Sequence, residues 1–160
     1  MLSREVLSHY FFSWNNTRGE KPMVTVITEW NSDMVFDSAV SGHRVLMDAE
    51  SMFGGKDRGP RPKMLLLSAL GGCTGMDVVS ILNKMKIKLQ KFRIMAEAAI
   101  ADEHPKVFTK IHLIYEFKGK NLPHDKLKKA CDLSQERYCP VSAMLKKVCP
   151  FTYEIKVSDW

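Results

Sequence analysis

From Met23 onward the chain alternates apolar and polar residues with a period of two, the mark of half-buried strands. Val24 to Trp30 reads as a first strand, Met34 to Val40 as a second and His43 to Asp48 as a third. Asn31-Ser32-Asp33 and Ser41-Gly42 supply turns between them, so the three predict a meander. The pattern then changes. After the basic, Gly/Pro-rich stretch from Gly54 to Pro62, apolar residues crowd from Leu65 to Leu82. Pro62 suits a first helical turn, and the helix it opens is predicted to run to about Met85. A helix apolar on nearly all sides is buried on every face. One chain of 160 residues rarely surrounds such a helix alone, so the pattern predicts a dimer packed around it.

Alternation returns at about Phe92–Ala101 and again at Phe108–Lys118, two strands joined across Asp102 to Lys106. A second helical region follows Asn121-Leu122-Pro123, with Leu127, Ala130, Cys131 and Leu133 as inward candidates. It restarts at Pro140, with Val141, Met144, Leu145 and Val148 inward, and stops at Pro150. Phe151 to Val157 is a last strand. The class is α+β: antiparallel sheets around a buried helix. Residues 1–22, rich in Ser, Asn and aromatics, read as an N-terminal extension or leader ahead of one domain over 23–160. Their apolar run Val6 to Phe12 is broken by Ser8 and His9 and lacks the form of a secretory signal. The uncharged run Met64 to Met76 is 13 residues long and is followed by Asp77, which suits a core helix rather than a membrane span.

Composition narrows the functional classes. A net charge of +6 is modest, and the lysines are spread along the chain. Nucleic-acid binding calls for a concentrated basic stripe with aromatics interleaved, so no nucleic-acid partner is expected. Four cysteines in 160 residues do not make a disulfide scaffold. The spacings of Cys131, Cys139 and Cys149 match no common zinc pattern and the five histidines are scattered, so neither a metal nor a cofactor is expected. A reducing cytoplasm is the default location for such cysteine usage.

Two cysteines stand in unlike settings. Cys73 follows Gly71-Gly72 inside the apolar helix. Paired glycines cost about 1 kcal/mol each in a helix interior, a cost tolerated where another backbone or a substrate comes close. Cys73 is then either a small packing residue or a reactive thiol. Burial raises a thiol's pKa, so a reactive one needs a cation or a helix N-terminus nearby. Either the helix runs unbroken through the glycines, or it restarts at Thr74-Gly75-Met76-Asp77 with a capping box that places Cys73 at a positive dipole end. Cys139 lies between Tyr138 and Pro140, an N-cap-like place where a thiolate is stabilised. Cys131 and Cys149 read as packing.

On these residues the chain resembles the OsmC/Ohr superfamily of thiol-dependent hydroperoxidases, and most closely its YhfA-type branch. Gly59-Pro60-Arg61-Pro62 leading into Leu65 to Cys73 is similar to its central-helix motif, and Tyr138-Cys139-Pro140-Val141-Ser142 to its second-cysteine motif. The match spans about residues 23–157. The resemblance implies an intertwined homodimer with composite sites at the interface. Cys73 would be the peroxidatic cysteine, Cys139 the resolving one, and a dithiol such as a lipoylated protein the reductant. It further implies an arginine held against the thiolate by a glutamate near the start of the helix. Here that stretch reads Pro62-Lys63-Met64-Leu65, with no acid. Arg61, Arg58 and Arg44 are the candidate arginines, Arg61 first among them, and Lys63 is a second source of positive charge. The leading expectation is a peroxidase for organic hydroperoxides in oxidative-stress defence. The alternative is a non-catalytic dimer that binds an apolar ligand or senses redox state.

Overall fold

The computed structural model describes residues 23–158, so the leader at 1–22 lies outside the described residues. The chain divides into two compact units at Gly59/Pro60. The first holds three antiparallel strands: β1 (Ile27–Ser32), β2 (Val35–Val40) and β3 (His43–Met47), in that order across the sheet. Ser41 and Gly42 join β2 to β3 with φ of 49° and 82°. Two consecutive left-handed residues are what a tight two-residue hairpin requires.

Beyond β3 the chain folds around one carboxylate. Asp48, whose side chain is sealed from solvent, accepts the backbone N–H of Ala49 at 2.8 Å, of Lys56 at 3.0 Å and of Arg58 at 3.1 Å. The Arg58 guanidinium joins Asp48 at 3.3 Å and Asp33 at 2.9 Å, and Lys56 Nζ reaches Asp33 at 2.9 Å. A short 3-10 turn, Ser51–Phe53, closes the loop. The glycines permit the closure: a Cβ on Gly55 would sit 1.9 Å from the Ala49 carbonyl oxygen. Lys56 and Arg58 are therefore engaged by carboxylates of their own unit.

The second unit opens with α1 (Pro62–Lys84), 23 residues without a break. Then follow β4 (Lys91–Ile100), β5 (Phe108–Lys118), α2 (His124–Leu133), a π turn (Ser134–Tyr138), α3 (Pro140–Leu145) and β6 (Phe151–Ser158). β5 is the central strand, and Ile111, Leu113, Tyr115 and Phe117 along it are fully buried. β4 pairs with it antiparallel, but β6 pairs with it parallel, correcting the expectation of purely antiparallel sheets. The helices between β5 and β6 carry the chain back to the end at which β5 began, and such a crossover delivers a parallel strand.

Within the chain α1 buries one stripe only: Leu70, Thr74, Val78 and Leu82, each four residues after the last. Other apolar faces are open, with Leu66 49% and Met76 73% exposed. The expectation that every face is buried is not met by a single chain. By length and composition alone α1 could cross a membrane. Its buried stripe instead belongs to the core cluster of this unit with Ile111, Leu113, Tyr115 and Leu127.

Candidate active site

The unbroken course of α1 settles one alternative from the sequence. Cys73 lies mid-helix, so no helix restart or capping box puts it at a dipole end. Cys139 is an N-cap, with extended backbone angles, and its sulfur accepts the Ser142 N–H at 3.3 Å. Pro140 after it occupies the first position of α3, as proline's fixed φ favours.

The fold brings the two thiols together. The sulfurs of Cys73 and Cys139 and a carboxylate oxygen of Asp77 all lie within 4.8 Å of one another. Both thiols are free, Cys139 buried and Cys73 partly exposed. Asp77 stands four residues after Cys73, on the same face of α1. A cleft of about 300 Å³ opens beside it, lined by Asp77, Ser80, Ile81, Lys84, Leu133 and Tyr138; Lys84 is not among the leading influences on Cys73.

A buried polar network sets this arrangement. Thr74 Oγ1 shares hydrogen bonds with Tyr115 Oη at 2.5 Å and Ser134 Oγ at 2.8 Å. Gln135 Nε2 donates to Tyr115 Oη at 2.6 Å and to Thr74 Oγ1 at 3.1 Å. Ser134 Oγ then donates to Asp77 at 2.9 Å. The π turn makes this possible, because its wider winding turns both Ser134 and Gln135 inward. The Ser134 carbonyl accepts the Cys139 N–H at 2.9 Å, tying Cys139 to the same turn. Gln135 Oε1 and Ser142 Oγ are buried without a hydrogen-bond partner among the described residues.

The electrostatics oppose ionisation of Cys73. Desolvation comes first, then its hydrogen bond with Cys139. The nearby Cys139 and Asp77 charges add to these, and together they push its pKa up to about 11 against the favourable N–H of Val141. No cation is among these leading influences. Cys131 is fully buried and pushed up to about 12 by desolvation, as befits an inert packing thiol.

The predicted cations of the second unit, Arg61 and Lys63, stand at the start of α1, and those of the first unit are engaged within that unit. Arg61 is the N-cap of α1, twelve residues before Cys73, which is about 18 Å along a helix axis. It does not reach the thiols of its own chain. Arg44 pairs with Asp37, and Arg58 with Asp33 and Asp48. Lys63 donates to the Lys106 carbonyl at 3.0 Å and lies over the Phe108 ring, also at the start of α1.

Sequence reading missed Asp77, Thr74, Tyr115, Ser134 and Gln135 as parts of the site. For Asp77 a signal existed: an acid one turn after Cys73 in an otherwise apolar helix. Thr74 adjoins Cys73, and Ser134 and Gln135 lie within five residues of Cys139, but only the fold joins them to one another through Tyr115 and Asp77.

On the next face of α1 runs an open groove of about 1020 Å³, lined by Leu67, Gly71, Gly72, Met76 and Val79 with Phe92 and Ile94 of β4. A Cβ on Gly71 or Gly72 would meet nothing within 4 Å. Within the chain it is Gly75 that admits a neighbour, Ile94, at 3.1 Å from where its Cβ would stand.

A family model described as OsmC-like protein matches residues 54–154. Protein YhfA of Escherichia coli (strain K12) is 35% identical over 130 residues, covering 81% of this chain and 94% of that protein. A crystal structure of a hypothetical protein from Aquifex aeolicus VF5 is 29% identical with a TM-score of 0.72, covering 86% of this chain and 99% of that one. An organic hydroperoxide resistance protein OsmC from Legionella pneumophila shares the fold, with a TM-score of 0.63 at 15% identity over 85% of this chain and 99% of that one.

Proposed function

This chain belongs to the OsmC-like protein family, and from that membership we propose that it is a thiol-dependent peroxidase that reduces organic hydroperoxides. The observation that carries the reading is the meeting of Cys73 and Cys139, 66 positions apart in sequence, with their sulfurs within 4.8 Å. The name of the Legionella neighbour supports the same chemistry.

In the proposed cycle the Cys73 thiolate attacks the distal peroxide oxygen and the O–O bond breaks. Cys73 becomes a sulfenic acid and the departing alkoxide takes up a proton to leave as the alcohol. The Cys139 thiol then attacks the Cys73 sulfur, forming a disulfide and releasing water. A dithiol, such as that of a lipoylated protein, returns both cysteines to thiols and is itself oxidised. The partly apolar cleft beside Asp77, with Ile81, Leu133 and Tyr138 along it, favours an organic peroxide over hydrogen peroxide.

A thiol pushed up to about 11 reacts slowly at neutral pH. The missing positive charge is assigned in this reading to a second copy of the chain. The open apolar faces of α1 form the dimer surface, and Arg61 of one copy serves the thiols of the other. The four free cysteines suit a reducing compartment, and the cytoplasm is the proposed location.

The absence of an acid at Lys63-Met64 and the raised Cys73 pKa favour a second reading, a dimer that binds an apolar ligand or senses redox state without turnover. One experiment separates them: dithiol-dependent consumption of cumene hydroperoxide beside hydrogen peroxide. The peroxidase reading expects faster consumption of the organic peroxide, and loss of turnover to background in Cys73→Ser. It also expects sulfenic acid trapped at Cys73 in Cys139→Ser. Turnover that survives in Cys73→Ser, or none with either peroxide, removes the peroxidase reading.

A further inference from the structure

The linear spacing of the cysteines argues against zinc, but spacing reports only on donors close in sequence. The fold assembles a different donor set. Two cysteine sulfurs and one carboxylate oxygen lie within 4.8 Å of one another. A tetrahedral zinc, with bonds of about 2.3 Å to sulfur and 2.1 Å to oxygen, places its donors about 3.5–3.8 Å apart. The three groups therefore need move no more than about an ångström to share one ion.

The surroundings are those a metal site needs. Ser134 Oγ donates to Asp77 at 2.9 Å and is itself anchored to Thr74 at 2.8 Å, so the carboxylate is oriented from behind. The Ser142 N–H already points at the Cys139 sulfur at 3.3 Å. Asp77 lines the cleft and Cys73 is partly exposed, so an ion can reach these donors from solvent. Two sulfur donors select a soft or borderline cation and discriminate against magnesium and calcium.

We propose that reduced Cys73 and Cys139, with Asp77, form a binding site for one divalent cation of the zinc and cadmium class. Each thiol yields its proton and forms a metal–sulfur bond, so one ion displaces two protons, with no change of oxidation state. A bound ion blocks both the attacking and the resolving sulfur, so it is an inhibitor of the reduced enzyme. That consequence rests on the peroxidase reading; the binding itself does not.

The test uses the full-length, fully reduced chain titrated with Cd²⁺ and followed by ultraviolet thiolate-to-cadmium charge transfer. Saturation is expected at one ion per chain, with two protons released per ion in weakly buffered solution. Cys73→Ser and Cys139→Ser should each lose the stoichiometric band, with folding checked by circular dichroism. Asp77→Asn should weaken binding at least about tenfold, and Ser134→Ala, acting through Asp77, by about tenfold. A band that persists in Cys73→Ser, no stoichiometric band in the wild type, or unchanged affinity in Asp77→Asn overturns the site. Peroxide turnover is measured on the metal-free protein before each titration. Cadmium binding by a protein with no metal-free turnover defeats the peroxidase reading alone; metal-free turnover without cadmium binding defeats this inference alone.

Discussion

Each unit of the chain encloses an ionisable side chain, and only one of the two enclosures is complete. In the first unit, burial alone would raise the Asp48 carboxyl. The N–H groups of Arg58, Lys56 and Ala49 and the Arg58 guanidinium outweigh it and hold the pKa at about 2. In the second unit Cys73 has one favourable backbone N–H and no cation among its leading influences, and it is pushed up to about 11. Two buried polar atoms of the same unit, Gln135 Oε1 and Ser142 Oγ, lack partners among the described residues. A carboxylate that supports the fold is satisfied by its own chain, whereas the Cys73 thiol, which the proposed function gives a ligand, is left short of what would stabilise its charge. The glycines repeat the contrast. Gly55 is pressed against backbone, while Gly71 and Gly72 face open space.

The sharpest break of this comparison is Gly55→Ala. The new methyl would sit 1.9 Å from the Ala49 carbonyl oxygen, and no side-chain rotation relieves a backbone clash. We expect a loss of more than about 3 kcal/mol in stability, above the usual cost of overpacking. A melting temperature unchanged by the substitution would show that the Asp48 loop is not closed as described.

Gly72→Ala tests the open side, with a smaller effect whose sign is informative. In an isolated helix alanine is better than glycine by about 1 kcal/mol, and nothing in the chain obstructs a Cβ there. A lone chain is therefore stabilised. A second copy seated on this face of α1 would meet the methyl, so the proposed dimer is weakened. Sedimentation across a concentration series reads association, and thermal melting of the dilute protein reads the monomer. Weaker self-association with a raised monomer melting temperature is the expected outcome. Unchanged association places the dimer surface elsewhere.

The sequence made the closed parts of the fold easier to read than the open site. α1 is predicted from Pro62 to about Met85 and observed over Pro62–Lys84, and β5 is predicted and found at Phe108–Lys118. Both are signalled by local period and by proline, which act within a few residues. The parallel pairing of β6 was not legible, because alternation marks a strand but not the direction of its neighbour. Neither was the π turn at Ser134–Tyr138, whose residues read as a gap between helices. Of the candidate site, the sequence singled out Cys73 and Cys139 by their glycine and proline contexts, and the fold brings these two together. Ser134 and Tyr115 were not singled out, since each joins the network through bonds to residues 20 to 60 positions away.

The gentlest probe of the comparison is pH, because it titrates the finished enclosure without a substitution. The folded Asp48 pKa of about 2 lies below the ordinary carboxylate value of about 3.9. The folded state therefore binds this proton more weakly than the unfolded chain does. Its contribution to stability is fully present above about pH 4 and is lost as the pH falls from there through about 2. Asp33, lowered by its hydrogen bonds to Lys56 and Arg58, acts in the same direction. Thermal melting of the wild type should decline across that window, while Asp48→Asn starts lower and shows a shallower decline, having one carboxylate fewer to protonate. Hydrogen exchange at the amides of Ala49, Lys56 and Arg58 localises the effect, since their acceptor is the group being protonated. Parallel declines in the wild type and Asp48→Asn, with those amides still protected at pH 2, would mean that the loop is held by its glycine packing and that the carboxylate is not what closes it.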